Sequence, residues 1–457
     1  MSAVEQRLRD GPLVAWYGDD FTGSSAVLEA LTFAGLPSVL FLDIPSDAQL
    51  ARFPGMRGVG IASVARSKGP AWMDAHLPGA FDWLKARRAP ITHYKVCSTL
   101  DSSPDVGSIG KAIDIAAPRF AAPWIPCLIA APANRRYQAF GHLFASAPGG
   151  VFRLDRHPVM ARHPVTPMDE SDVAAHLARQ TDRPMGLIDI EALEGNADRA
   201  LREEIDRGAE IISLDSLSEI HLARAGKLVW EHRDRGLFAV GSQGVEHALI
   251  AHWRDAGLLA AVKAPESAGA VEHMVAVSGS VSPVTAAQID WAEANGFEAI
   301  SLDAARIISG DEEAERRTLD EALAALGSGR DPLIRTARGP DDPAIAAMRA
   351  SAERQAVAED VANARIGEAL GRLLADILKK SGLRRAVISG GDTSGYASRQ
   401  LDLFAFTALA PTIPGAALLT AHSEAPGLDG LQLALKGGQM GSPDYFGWIK
   451  RGGGSGG

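Results

Sequence analysis

Three loops rich in small residues carry the chemistry most visible in this chain. The stretch 386–395 reads A-V-I-S-G-G-D-T-S-G, an apolar run that passes into glycines and then into the start of a helix. Gly390 and Gly391 leave room for an anion to meet backbone N–H groups, and Thr393 joins them as a binding candidate. The helix adds its own unpaired N–H groups and positive dipole end. Asp392 sits among them, although a carboxylate repels a phosphate. Either it caps the helix, or it handles a metal ion or a proton beside the phosphate. Ser278, Gly279, Ser280 and Ser282 form a second, hydroxyl-rich loop that also enters a helix. The third is Lys436-Gly437-Gly438-Gln439-Met440-Gly441. One such loop is a weak signal, but three in one domain suit a nucleotide better than three unrelated turns.

A second constellation lies near the N-terminus, in Gly18-Asp19-Asp20-Phe21-Thr22-Gly23. Adjacent carboxylates at a strand-to-helix turn bind hydroxyls of a polyol or a metal, or one of them caps the helix. Two are more than capping needs, and open α/β sheets bind ligands at this edge. Arg66 follows another strand and suits bidentate capture of a carboxylate, with a solvated loop arginine as the plain alternative. Lys95 falls inside the strand-like run Tyr94-Lys95-Val96-Cys97-Ser98-Thr99. Burying an unpaired ammonium is expensive, so it meets an anion or lies on an exposed face. Ser98, in the same turn, joins the substrate-binding candidates. His163-Pro164-Val165-Thr166-Pro167-Met168 is a rigid loop, in which His163 reads more readily as structural than as a ligand or base.

The elements that must position these residues alternate. Strands are expected at 13–17, 37–42, 58–63, 92–97, 124–130, 185–188, 211–214 and 237–241, with helical patterns between most of them. The pattern weakens over 256–272 and restarts with strands at 273–277, 299–302, 333–336 and 386–388. Residues 337–350 read as polar and irregular. Ser282 followed by Pro283 is a helix start. The stripe Ile366, Leu370, Leu373, Leu374, Ile377, Leu378 marks a long helix ended at Gly382. Strands alternating with helices indicate mostly parallel sheets covered on both faces. The fold expected is therefore α/β with two domains, 1–255 and 273–450. A linker at 256–272 and a flexible Gly/Ser tail at 451–457 complete the division.

Composition bounds the function. At 457 residues the chain exceeds one ordinary core, and 46% hydrophobic with 22% charged residues describes a globular protein. A net charge of −10 argues against nucleic acid as the partner. Cys97 and Cys127 read as free thiols of a reducing cytoplasm. The N-terminus lacks a signal-peptide core. The uncharged stretch 404–421 contains Pro411, Pro414 and Gly415 and reads as strand and loop, so no membrane partner is expected. A homodimer is carried as one assembly to be tested. No P-loop, dinucleotide G-x-G-x-x-G after the first strand, H-E-x-x-H or paired C-x-x-C is present.

Together the motifs resemble those of the four-carbon acid sugar kinase family over nearly the whole chain. They are D-D-F-T-G at 19–23, H-P-V-T-P-M at 163–168 and V-S-G-S-V-S-P-V-T-A-A-Q at 277–288. G-G-D-T-S at 390–394 and A-L-K-G-G-Q-M-G at 434–441 complete the set. The resemblance implies an N-terminal domain for the sugar acid and a C-terminal domain for ATP, with the active site in the cleft between them. It also implies phosphorylation of threonate, erythronate or their 3-oxo forms at a terminal hydroxyl. One departure stands out. Where the family shows a K-x-D-S-T-L-R-G-like segment, this chain has Cys97 for the aspartate and Asp101 for the arginine. The flanking motifs look most like a branch acting on 3-oxo-isoapionate, a branched acid sugar.

On this reading Arg66 and Lys95 hold the carboxylate, and Asp19 or Asp20 accepts hydrogen bonds from substrate hydroxyls. The three C-terminal loops hold ATP, with Mg²⁺ bridging its phosphates. Asp392 or Asp20 takes the hydroxyl proton. The rivals are a non-catalytic sugar-acid-binding regulator and a nicotinamide-dependent oxidoreductase.

Overall fold

A computed structural model describes residue 8 and residues 10–163, 165–233, 236–263 and 265–454. The chain divides into two compact units, residues 1–263 and 264–457, and this division falls inside the expected linker.

The first unit is built on a parallel sheet. Its strands are β1 (Val14–Gly18), β2 (Ser38–Phe41), β3 (Gly58–Ala62), β4 (Ile91–Lys95) and β5 (Ile125–Leu128). An antiparallel trio follows, β6 (Arg136–Ala139), β7 (His142–Ala147) and β8 (Gly150–Arg153). The parallel series then resumes with β9 (Met185–Ile188), β10 (Ile211–Leu214) and β11 (Leu237–Gly241). The parallel strands lie in the order β2-β3-β1-β4-β11-β5-β10-β9, and β6-β7-β8 form a separate sheet. Every residue of β1, β3 and β4 is buried; β1 and β3 accordingly read as continuous apolar runs rather than alternating ones, while β4 buries Thr92, His93 and Lys95 as well. Tyr17, Phe81, Tyr94 and Phe238 centre the core on one face.

The antiparallel trio was not expected from the sequence. It is fastened to the main sheet by the buried Asp215, whose carboxylate accepts from Gln138 Nε2 at 3.1 Å and from the Gly141 N–H at 3.1 Å. These strands are only four to six residues long and joined by two-residue turns, so no periodicity announces them.

In the second unit β12 (Val275–Ser278), β13 (Phe297–Ser301), β14 (Asp331–Arg335), β15 (Arg385–Ser389) and β18 (Gln432–Lys436) are parallel. β16 (Leu403–Ala410) and β17 (Leu418–Ser423) run antiparallel. The order is β13-β14-β12-β15-β18-β17-β16. The uncharged stretch 404–421, read as a strand and a loop, holds a second strand as well. No helix among the described residues is long and apolar enough to cross a membrane.

Two expectations are corrected. Residues 337–350 are not irregular, because a helix runs Pro343–Arg354. Asp342 caps it through the Ala344 N–H, and Pro343 fills its first turn. That is the same cap-then-proline signature that starts Pro283–Ala294, where Ser282 is the cap. The expected flexible tail is also shorter. The Gly452 carbonyl accepts from the Ala268 N–H at 2.9 Å, and the Gly454 N–H donates to the Pro411 carbonyl at 2.7 Å. Residues 455–457 lie outside the described residues.

Candidate functional site

Sheet register gathers the N-terminal candidates. Gly18 at the end of β1 lies opposite Ala62 of β3 on one side and Lys95 of β4 on the other. The loops after these neighbouring strands therefore bring Asp19, Asp20, Arg66 and Lys95 to one edge. Arg66 grips Asp19 with two bonds, Nε to Oδ2 at 3.1 Å and Nη2 to Oδ1 at 2.6 Å, and Nη2 also reaches Asp20 Oδ1 at 2.8 Å. The guanidinium expected to await a substrate carboxylate is thus ion-paired within the chain. The reason is local: two adjacent carboxylates in a buried turn need a cation beside them.

The two aspartates differ. Asp20 is the N-cap of the helix Phe21–Phe33, accepting from the Gly23 N–H at 2.9 Å and the Thr22 hydroxyl at 2.6 Å. Burial pushes its carboxyl up, but Arg66, Lys95 and these bonds outweigh burial and hold it below the ordinary value. Asp19 is 1% exposed, and there burial wins over Arg66, pushing its carboxyl up to about 6. Lys95 is buried as well. Its ammonium donates to the Val96 carbonyl at 2.6 Å and is one of the cations acting on both aspartates, so it meets anions rather than solvent. Ser98 is half-buried in the next turn.

The proline loop has a structural task. The Thr166 N–H donates to His163 Nδ1 at 3.1 Å, and the Thr166 hydroxyl bonds to the Asp101 carboxylate. Asp101, the residue that departs from the family pattern, is therefore held by this loop. Pro164 lies outside the described residues. Cys97 is half-buried with Sγ 3.0 Å from the Thr99 hydroxyl, and neither cysteine forms a disulfide.

In the second unit register again does the gathering. Ser278 of β12 pairs with Ser389 of β15, which pairs with Lys436 of β18. The three small-residue loops leave adjacent strand ends and interlock. Ser282 donates to the Gly438 carbonyl at 2.5 Å, and Gln288 Nε2 holds the Met440 and Ser442 carbonyls at 2.9 and 3.0 Å. They border a cavity of about 330 Å³ walled by Gly279, Ser280, Gly390, Gly391, Thr393 and Gly438. Val281, Ile345, Met348 and Ile366 add apolar surface, while Asp392, Glu359 and Arg349 add charge. Gly390, with φ +129, is the N-cap of the helix Gly391–Ser398, and the exposed Asp392 lies in its first turn. Gly437 and Gly441 shape the third loop without lining this cavity, as do Ser278 and Ser282 in the first.

Sequence reasoning quoted Lys436 but assigned it no role. It is fully buried at the end of β18, and burial pushes its ammonium down to about 8. A lysine closing an otherwise apolar strand was the available signal, the same one read at Lys95.

Among the described residues no cluster of three or more His, Cys, Asp or Glu side chains is arranged to hold a metal ion. The geometry is that of a buried charge cluster on one unit and a glycine-lined cavity at a helix N-terminus on the other. The chain matches two family models, the sugar-binding N-terminal domain over residues 14–249 and the nucleotide-binding C-terminal domain over residues 275–446. The chain belongs to the four-carbon acid sugar kinase family and is a phosphotransferase with an alcohol group as acceptor.

Among its relatives, it is 47% identical to the 3-oxo-isoapionate kinase of Paraburkholderia graminis, covering 97% of this chain and 95% of that one. It is 33% identical to a 3-oxo-tetronate kinase of Methylobacterium radiotolerans, covering 94% and 96%. A solved Salmonella typhimurium protein, provisionally named a tRNA synthase, superposes with a TM-score of 0.78. The identity is 26%, with 96% of this chain and 98% of that one covered. A solved Haemophilus influenzae protein shares the fold with a TM-score of 0.70 at 23% identity, covering 95% and 99%.

Proposed function

We propose that this chain moves the γ-phosphoryl group of ATP to a primary hydroxyl of a small acid sugar, 3-oxo-isoapionate before 3-oxo-tetronate. The observation that carries the reading is the convergence of three small-residue loops on one cavity in the nucleotide-binding unit. Phosphoryl transfer asks a protein mainly for positioning and charge stabilisation. Loops of glycine and serine at a helix N-terminus supply backbone N–H groups for phosphate oxygens. The identity of 47% to a 3-oxo-isoapionate kinase supports the choice of acceptor.

Ser278, Gly279, Ser280, Ser282, Gly390, Gly391 and Thr393, with Gly437, Gly438 and Gly441, form the proposed ATP site. Asp392 and Glu359 both stand on the cavity wall. Carboxylates together with phosphate oxygens are the donor set that suits Mg²⁺, which would neutralise charge developing on the phosphates. In the sugar-binding unit, Asp19, Asp20, Arg66, Lys95 and Ser98 form the proposed acid-sugar site. Arg66 serves the substrate there while remaining clasped to Asp19. A cytoplasmic location fits two cysteines that are both free.

Of the two wall carboxylates, Asp392 is the proposed proton acceptor, which leaves Glu359 as the one that would stand beside Mg²⁺. Asp20 is a poorer base, because its oxygens already accept from Gly23, Thr22 and Arg66. Coupled ADP release against a panel of four-carbon and branched five-carbon acid sugars tests the reading. Stimulation by 3-oxo-isoapionate above the other acids is expected, and a folded preparation that no acid sugar stimulates overturns it. Asp392→Asn then loses turnover while ATP and sugar binding persist. Retained turnover in that variant removes Asp392 from the role.

A further inference from the structure

Lys436 has no use in the scheme above, yet its placement is unusual. It is fully buried, and among the described residues its ammonium hydrogen-bonds only to the Gly437 carbonyl at 3.0 Å and the Thr285 hydroxyl at 3.4 Å. Among the described residues no carboxylate lies within ion-pair distance. Arg385, also buried in this unit, is by contrast surrounded by Gln432 and the carbonyls of Gly269, Ile449 and Lys450. A buried ammonium facing only neutral dipoles is costly, and such groups gather at functional sites.

What Lys436 does to the loop above it follows from peptide geometry. In a trans peptide the C=O and the following N–H point in opposite directions. Drawing the Gly437 carbonyl down to the ammonium therefore turns the Gly438 N–H the other way. The next peptide is held alike, since the Gly438 carbonyl accepts from Ser282 at 2.5 Å and lies 2.9 Å from the Thr285 hydroxyl. That turns the Gln439 N–H away too. Neither N–H finds a partner within the described chain, and Gly438 lines the cavity. Successive N–H groups left pointing outward form an anion-binding nest.

We propose that Lys436 is a positioning residue for the nucleotide phosphates, fixing the Gly437–Gln439 peptides as a nest from beneath and placing an unmatched positive charge behind it. The proposal rests on reading the cavity as a nucleotide site. It predicts that phosphate binding and protonation of Lys436 are coupled. The groups facing the ammonium are Gly437 from its own loop, Thr285 from the helix Pro283–Ala294 and the Tyr445 ring, 5.9 Å away, from the helix Tyr445–Lys450. None of these is a charged side chain, and burial alone pushes the ammonium down to about 8. An arriving triphosphate raises it again, so binding takes up a proton near that pH.

Calorimetric titration of the full chain with Mg-ATP between pH 7.5 and 9, in two buffers of different ionisation enthalpy, tests this. The wild type is expected to take up about half a proton near pH 8 and to bind several-fold more weakly at pH 9 than at pH 7.5. Lys436→Gln is expected to bind at least about tenfold more weakly, with that pH trend gone. A wild type that binds with no proton uptake and a flat affinity overturns the proposal, as does a folded Lys436→Gln with wild-type affinity. If the variant fails to fold, the wild-type proton count decides by itself. Absence of any Mg-ATP binding by the wild type removes the nucleotide reading and the proposal with it.

Discussion

A methyl group at Gly23 would lie 2.7 Å from the Lys95 ammonium nitrogen and 2.3 Å from Asp20 Oδ1. One missing side chain thus lets a buried cation sit beneath the N-terminus of the helix Phe21–Phe33 while Asp20 caps that helix from above.

Gly23→Ala separates this packing from helix propensity. In an ordinary first turn alanine is at least as good as glycine. Here it displaces the cap, the ammonium or both, with an expected loss of roughly 2–4 kcal/mol. Urea unfolding measures it, and an unchanged midpoint would show that the cluster yields without cost.

Asp19 sets a pH dependence whose sign is fixed. Its carboxyl is raised from 3.8 to about 6, chiefly by burial, so the folded state holds this proton more tightly than the unfolded chain does. The stabilisation is complete below pH 3.8 and is lost as pH rises through about 6. The stability of the wild type minus that of Asp19→Asn is therefore expected to fall by roughly 3 kcal/mol between pH 4 and pH 7 and to level above. Denaturant melts across that range check it, and a difference that rises with pH contradicts the assignment.

Gly391 isolates binding from folding. Nothing lies within 4 Å of a Cβ built there, and its φ is not positive, yet the residue lines the cavity proposed for the nucleotide. Gly391→Ala is expected to leave stability unchanged or to raise it by about 0.5 kcal/mol. Affinity for Mg-ATP should drop about tenfold, because the methyl occupies space that phosphate would use. Thermal melts and fluorescence titration in parallel measure the two, and a variant that binds ATP normally counts against the cavity wall.

Lys436 gives a stability prediction opposite in direction to its binding role. Its ammonium is depressed by burial, so the cost to the folded state is fully present below about pH 8 and fades as pH rises towards 10.5. Lys436→Met, similar in volume, is expected to raise the apo melting temperature at pH 7 and to lose that advantage by pH 10. A lower melting temperature at pH 7 would mean that its two hydrogen bonds outweigh desolvation.

Much of this was legible in the chain because the signals were local. β9, β10 and β11 fall where apolar runs placed them, and Ser282 caps its helix as its pairing with Pro283 implied. The three glycine loops were grouped correctly, since each follows a strand and the strands proved neighbours in register. What escaped was non-local or competitive. The attachment of the short β6-β7-β8 hairpins to the main sheet runs through Asp215, far away in sequence. The helix Pro343–Arg354 was hidden by the charges flanking its cap. Arg66 looked free because nothing in a sequence says that Asp19 and Asp20 will turn back to meet it.

The Thr393 hydroxyl oxygen occupies the space above two glycines at once, 2.3 Å from a Cβ placed on Gly279 and 2.7 Å from one on Gly390. These three positions, drawn from two loops, therefore behave as a single locus. A side chain can be gained at Gly279 only if one is surrendered at Thr393, so the two loops that wall the cavity are free to diverge only in step.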